Sequence, residues 1–295
     1  MQVNRNLKKG LTAVIITNRR ISEIKALEKV RSFVDKTVIV TSLAEDTIDL
    51  EGVKVVHSNS RNFAYLRNLG AFYAETTHII TIDSDEDPDE ILIEEIKQCD
   101  LDNSLYNFEV SSYFNQSKMN ITTHLSNKIY DRTKFIFTGS VHERLYGDRK
   151  NPITLKGTLS NYSQANWDEW YQKAKRFTSL EVKNLNVLLR ALYPIYIYFS
   201  KEGWKDGFLG LRYTIKGVEY VFLILVRGRM NYITLSIDQI NSKIKEGRIN
   251  NLEREFIRWI VQHYFSNDKC DSRLLNAFPY IDLLEQISSP FIANP

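Results

Sequence analysis

Cysteine is nearly absent, with Cys99 and Cys270 the only two in the chain. Two thiols so far apart make no disulfide framework and have no metal-ligand spacing, so a reducing compartment fits, with a single disulfide still open. Glycine (12) and proline (6) are too sparse for a collagen-like or low-complexity chain. Charge of one sign is also lacking. The 39 Lys/Arg and 36 Asp/Glu leave +3, too balanced for a dedicated nucleic-acid binder, and no nucleic-acid module is recognisable. Long hydrophobic runs are missing as well. The longest unbroken one, Tyr220–Val226, falls far below the roughly 18 residues of a membrane span. The basic opening MQVNRNLKKG leads into Leu11–Thr17, which reads as a strand rather than a signal peptide. What remains is globular composition, 43% hydrophobic and 25% charged over 295 residues. That length holds one large domain, or a medium domain with a smaller companion.

The first hundred residues alternate between two periods. Apolar, β-branched runs at Leu11–Thr17, Thr37–Val40, Val53–Val56 and His78–Ile82 read as buried strands. Helical spacing covers Ile21–Val34, Phe63–Ala74 and Asp89–Cys99, the last opened by Pro88, where a missing N–H costs nothing. Strands alternating with helices predict an α/β fold with a mostly parallel sheet covered on both faces. Leu105–Tyr113 and Lys128–Phe137 read as strands of a more antiparallel region. From Trp167 the pattern turns helical over 167–191, 206–229 and 249–265. The expected organisation is a sheet domain over 1–165 and a mainly helical region over 166–295.

Charge divides unevenly between these parts. Residues 171–229 hold 11 Lys/Arg against 4 Asp/Glu, an excess of +7, so the rest of the chain carries −4. This stretch is also rich in Tyr, Trp and Phe. Two readings stand side by side: a helical subdomain packing an apolar stripe on the core, and an interfacial helix pair on an anionic bilayer. His57, His78, His124 and His263 fall in no ligand spacing and read as structural or surface residues; Trp259 and Tyr264 read as core of the last helices.

The sharpest local signal is Asp83-Ser84-Asp85 at the end of a buried strand. Ligands of open α/β sheets sit beyond the carboxyl ends of strands. Residues i and i+2 of an extended segment point the same way, and two such carboxylates repel unless a cation or proton joins them. Hard oxygen ligands suit Mg²⁺ or Mn²⁺ shared with substrate phosphates. A solvated acidic turn before the next helix is the plain alternative.

The strings Asn62-Phe63-Ala64-Tyr65-Leu66-Arg67-Asn68-Leu69-Gly70-Ala71 and HIITIDSDE (78–86) are similar to the family 2 glycosyltransferases of GT-A fold. GSVHERL (139–145) resembles the G-x-V-H-E-x-L of the branch with lipopolysaccharide core β-glucosyltransferases. Lys201-Glu202-Gly203-Trp204-Lys205-Asp206-Gly207-Phe208, with Gly210, resembles a further segment of that branch. The resemblance runs from about 11 to 229 and has no counterpart in 230–295. It implies an inverting, metal-dependent transferase acting on a nucleotide-diphosphate sugar, with a glycan or lipid-linked glycan as acceptor. It implies that Asp85 and Asp83 serve the metal and the nucleotide-sugar, that Asn18 and Arg67 lie near the nucleotide, and that Glu143 is the base. His142 would be a metal ligand or an acceptor contact. The family's acidic residue after the second strand is replaced by Thr41-Ser42, and Asp46 is the nearest substitute.

Glu143 lies 60 residues after Asp83, about one sheet return. Outside the family context, His142 and Glu143 read as ordinary residues, with Glu143 paired to Arg144 or Arg149. The expected location is cytoplasmic, with peripheral contact on the cytoplasmic face of a membrane as a further expectation. Competing readings are a nucleotidyltransferase, which lacks here a Gly-rich basic loop after the first strand, and a degenerate transferase kept as a binding or scaffold subunit.

Overall fold

The computed structural model describes residues 7–43, 48–60, 62–114, 116–138, 143–149, 151–164, 166–178 and 187–227. The apolar runs form strands β1 (Lys8–Thr17), β2 (Lys36–Thr41), β3 (Val53–His57) and β4 (Thr76–Asp83), with α1 (Leu27–Arg31) and α2 (Phe63–Tyr73) between them. There follow β5 (Glu86–Pro88), α3 (Glu90–Lys97), β6 (Leu105–Phe114), β7 (Ser117–Lys118) and β8 (His124–Asp131). The chain continues through β9 (Ile136–Thr138), β10 (Arg144–Tyr146), β11 (Ile153–Gln164), α4 (Trp167–Thr178), α5 (Val187–Ser200) and α6 (Gly207–Arg227).

The main sheet runs β3-β2-β1-β4-β8-β6-β11-β5, with β7 beside β6. It is mixed, and most of its paired residues lie in parallel ladders: β1 with β2 and β4, β2 with β3, and β6 with β11. β8 joins β4 and β6 antiparallel. β9 and β10 form a separate antiparallel pair. This is an α/β fold.

Period-2 alternation sorts β1 between two cores. Val14 and Ile16 face α2 with Ala64, Leu69 and Phe72. Ala13 and Ile15 face the opposite layer with Leu27, Val30, Leu92, Ile93 and Ile96. α2 lies very close to β1, because a Cβ on Gly70 would collide with Val14 Cγ1.

Four elements differ from the sequence expectation. The helix expected over 21–34 is a 3-10 turn (Ile21–Glu23) followed by the short α1. Ile21, Ile24, Leu27 and Val30 are all buried, but they repeat every third residue, a spacing that 3-10 turns satisfy as well as an α-helix. Pro88 ends strand β5 instead of opening a helix. β5 is an edge strand, where a residue without an N–H is tolerated. Asp89 then caps α3, its Oδ1 accepting from the Leu92 N–H at 2.7 Å. The strand expected over 128–137 divides because Asp131 Oδ1 accepts from both the N–H and the hydroxyl of Thr133, a turn that ends β8. The helix expected over 167–191 is seen as α4 to Thr178 and as α5 from Val187. The helix expected over 249–265, with Trp259 and Tyr264, lies outside the described residues.

α5 and α6 dock on the sheet through Ile197, Tyr198, Leu209 and Tyr213, which pack on Phe114, Met119 and Ile121. Asp206, between the helices, accepts from the Asn120 and Ile121 N–H groups, each at 2.9 Å. No helix among the described residues is long and apolar enough to cross a membrane.

Candidate active site at the carboxyl end of the sheet

The register of the parallel strands aligns their carboxyl ends. Thr17 pairs with Thr41, Thr41 with His57, and Ile16 with Asp83. The chain runs outward from β1 to β3, then returns to the other side of β1 as β4. Strand order therefore reverses between β1 and β4, the switch point where open α/β sheets form their crevice. Asn18 lies exposed just beyond β1, and Asp83 ends β4 beside it.

α2 delivers Arg67 to this place. Asn62 caps the helix, its Oδ1 accepting from the Tyr65 N–H at 2.9 Å. One turn further in, Asn68 acts as a strand edge. Its Nδ2 donates to the Phe137 carbonyl and its Oδ1 accepts from the Phe137 N–H, both at 2.9 Å. This holds β9 on α2. β10 pairs with β9 through Arg144 and Thr138, so Glu143, just before β10, arrives over the same helix.

Arg67 is the hub, its side chain only 7% exposed. Nε donates to Glu143 Oε1 at 2.7 Å and an Nη donates to Asp83 Oδ1 at 2.9 Å. Burial works against the guanidinium's charge, but Asp83 and Glu143 outweigh it and hold it above its ordinary range. Arg67 also lies 5.4 Å from the Phe137 ring centroid. Among the described residues its buried Nη1 has no hydrogen-bond partner, and neither has the Tyr130 hydroxyl. An unfilled buried donor on a cation is costly and fits a polar ligand's oxygen.

The two aspartates differ. Burial pushes Asp83 up, but Arg67 and then Lys128 overcome this and hold its carboxyl below the usual value. Asp85 is pushed up, first by burial and then by the charge of Asp83; the positive charges of Lys173 and Arg19 act the other way. A cation would relieve both causes of the Asp85 shift. Among the described residues no group of three or more His, Cys, Asp or Glu is placed to cage a metal. A pair of carboxylates is nevertheless the kind of oxygen donor set that Mg²⁺ shares with substrate phosphates. Asp83 and Asp85 thus fit an ion shared with a diphosphate.

Sequence reasoning missed the brace beneath this turn. Glu86 is buried and accepts from the Asp83 N–H at 2.8 Å. Lys128 on β8 is ion-paired with it, and Asn161 Nδ2 donates to it at 3.3 Å. The Tyr162 N–H donates to the Asp85 carbonyl at 2.9 Å. Both ends of the acidic turn are therefore tied to neighbouring strands. Glu86 directly follows the DxD and Lys173 opens a segment, Lys173–Phe177, that fits the resembled branch, both visible in sequence, whereas Lys128 carried no signal.

Of the candidate residues, Arg67, Asp83 and Glu143 come together, and Asp85 and Asn18 flank them. Asp46 and His142 lie outside the described residues. Thr41, at the place of the family's acidic residue, is buried and its hydroxyl accepts from the Leu43 N–H at 3.1 Å. Arg149 is lowered by burial and by the nearby charge of Arg144. His78 is buried and bonded through Nε2 to the Asn103 carbonyl at 2.9 Å, a structural role.

No protein-family model matches the chain, and no curated protein matches it. Solved structures with a similar chain path include HddC from Yersinia pseudotuberculosis, at 13% identity and a TM-score of 0.35, covering 56% of this chain and 99% of that one. TarS 1–349 from S. aureus in complex with UDP-GlcNAc is similar at 11% identity and a TM-score of 0.37, covering 95% of this chain and 89% of that one. At these values the argument about function rests on the chain's own geometry.

Proposed function

We propose that this chain is an inverting, metal-dependent glycosyltransferase that moves a sugar from a nucleotide-sugar to a hydroxyl of a glycan or lipid-linked glycan. The observation that carries this reading is the bridge by which Arg67 joins Asp83 to Glu143 at the switch point of the sheet. Two carboxylates converge there from segments 60 residues apart.

The roles follow from the geometry and the resemblance together. Asn18, together with Asp46, would contact the nucleotide. Asp85 and Asp83 would hold Mg²⁺ or Mn²⁺, with His142 as a further ligand or acceptor contact. The ion supplies charge neutralisation for the diphosphate leaving group. Arg67 orients Glu143 through Oε1. The acceptor oxygen attacks the anomeric carbon, the bond from that carbon to the diphosphate oxygen breaks, and the acceptor's proton passes to Glu143. Lys173 and Arg19 add positive charge beside the leaving group.

The test has two readouts. Nucleoside diphosphates are screened by thermal shift with and without Mn²⁺. A ligand at 100 times its Kd adds about 2.7 kcal/mol of stability, so a metal-dependent rise is expected for one base and is lost in Asp85→Ala. Transfer is then assayed with that donor. Glu143→Gln should slow it by roughly 10²–10⁴ while leaving the thermal shift intact. Full transfer in Glu143→Gln removes that residue as base. Release of pyrophosphate in place of the nucleoside diphosphate makes the protein a nucleotidyltransferase.

A further inference from the structure

α5 and α6 are apolar on two opposite counts. Their inner residues pack on the sheet edge at Phe114, Met119 and Ile121. Their outer residues are apolar too. α5 exposes Leu192, Tyr196 and Phe199, and α6 exposes Phe208, Leu211 and Ile215, with Phe208 76% exposed. The steps between them are three or four residues, so each helix carries one outward stripe. A helix that is hydrophobic all round belongs in a protein core or in lipid, and over its described residues neither helix is long and apolar enough to cross a bilayer. Trp204 stands in the turn between them, its ring 6.4 Å from that of Phe199, and joins the α5 stripe to the turn.

Charge on the hairpin identifies the occupant. Its acids are engaged internally: Glu202 pairs with Lys205 at 2.6 Å, Glu219 with Lys216 at 2.5 Å, and Asp206 accepts from N–H groups of the sheet. Lys201 reaches only the Thr123 carbonyl, and Arg212 lies over the Trp167 ring at 4.6 Å. Neither meets a carboxylate among the described residues. Aromatic and aliphatic side chains beside unmatched cations are what a negatively charged lipid surface selects: rings settle at headgroup depth and basic heads reach phosphates.

Location agrees. β6 is antiparallel to β8 and β8 to β4, so β6 runs parallel to β4. Phe114, which ends β6, therefore lies on the same edge of the sheet as Asp83, and it is the residue on which the hairpin packs. We propose that the outer face of the α5–α6 hairpin, centred on Phe199, Trp204 and Phe208, is a docking surface for an anionic lipid bilayer, lying at the edge of the sheet that carries the acidic turn. The inference concerns binding alone and stands whether or not the chain transfers sugar.

The test is co-sedimentation of the full chain with phosphatidylcholine vesicles, with and without phosphatidylglycerol. Wild type is expected in the pellet with phosphatidylglycerol vesicles and released as salt is raised. Phe199→Ser with Phe208→Ser should weaken binding about tenfold or more. Lys201→Glu with Arg212→Glu should abolish the preference for phosphatidylglycerol. Unchanged melting temperatures establish that these variants are folded. Wild type remaining in the supernatant overturns the proposal, as does a folded Phe pair variant that pellets like wild type. Light scattering adds a third arm: a wild-type dimer that the Phe pair variant makes monomeric, with vesicle binding unaltered, reassigns the face to a second copy of the chain.

Discussion

The carboxyl end of β4 buries charge, while the α5–α6 hairpin exposes hydrocarbon. Each reverses the ordinary partition of residues between interior and surface, in opposite directions. At β4, Asp83, Glu86 and Arg67 are ion-paired, with partners drawn from α2, β8 and the segment before β10. On the hairpin the outward aromatic and aliphatic residues have none of the core's cover. A buried ionic cluster is weak support for stability, because desolvation offsets attraction. An exposed apolar stripe costs solubility. The two regions share a reason for existing that is not folding, and stability measurements separate them.

The largest effect is expected from Arg67→Met, which strips the cation from two partly buried carboxylates and should cost up to about 3–5 kcal/mol, the range for breaking a fully buried pair. The deficit has a signed pH dependence. Arg67 holds the Asp83 carboxyl low, so that stabilisation is present above the ordinary carboxylate range and disappears as pH falls through the lowered value. Urea melts across acidic pH should show wild type and variant converging; a constant gap would mean that Arg67 acts by packing alone.

Gly70→Ala comes next. The added methyl collides with Val14, and overpacking of this kind costs about 1–3 kcal/mol. A stability within error of wild type would show that α2 slides freely on β1. Asp85→Asn should act in the other direction. Burial and Asp83 raise the Asp85 carboxyl, so the folded chain favours its proton and loses stability as pH rises towards the raised value. Replacing the carboxylate should raise the melting temperature at neutral pH, a gain of about 1 kcal/mol or less, and flatten the pH dependence. A lower melting temperature would show that this carboxylate stabilises the turn. Smallest is Ile215→Ser on the outer face of α6. It should stay within about 0.5 kcal/mol, because the side chain is exposed. A cost of several times that would place the residue against another part of the chain.

The strands of the parallel half were legible because β-branched runs buried on both faces leave no other reading, and observed ends differ by only a few residues. Arg67, Asp83 and Glu143 were visible as types and spacings, yet their meeting depends on Asn68 gripping Phe137, which no periodicity reports. The Glu86–Lys128 brace was hidden for a similar reason. It exists because β8 inserts between β4 and β6, and in sequence the β8 segment merged with β9 into a single expected strand. α1 was overestimated because a three-residue repeat does not separate 3-10 from α geometry. Outward apolar residues on α5 and α6 were open to a reading as core or as interface, since composition reports hydrophobicity without direction.

The small strand β5 carries a consequence for synthesis. Glu86 is paired with Asn161, and Asp85 is held by the Tyr162 N–H. The acidic turn thus takes its support from chain 75 residues downstream. At ordinary synthesis rates that chain follows roughly 4–15 s later. The four parallel strands can assemble on a ribosome well before β11 emerges, so the acidic turn is the last part of the sheet to acquire its frame.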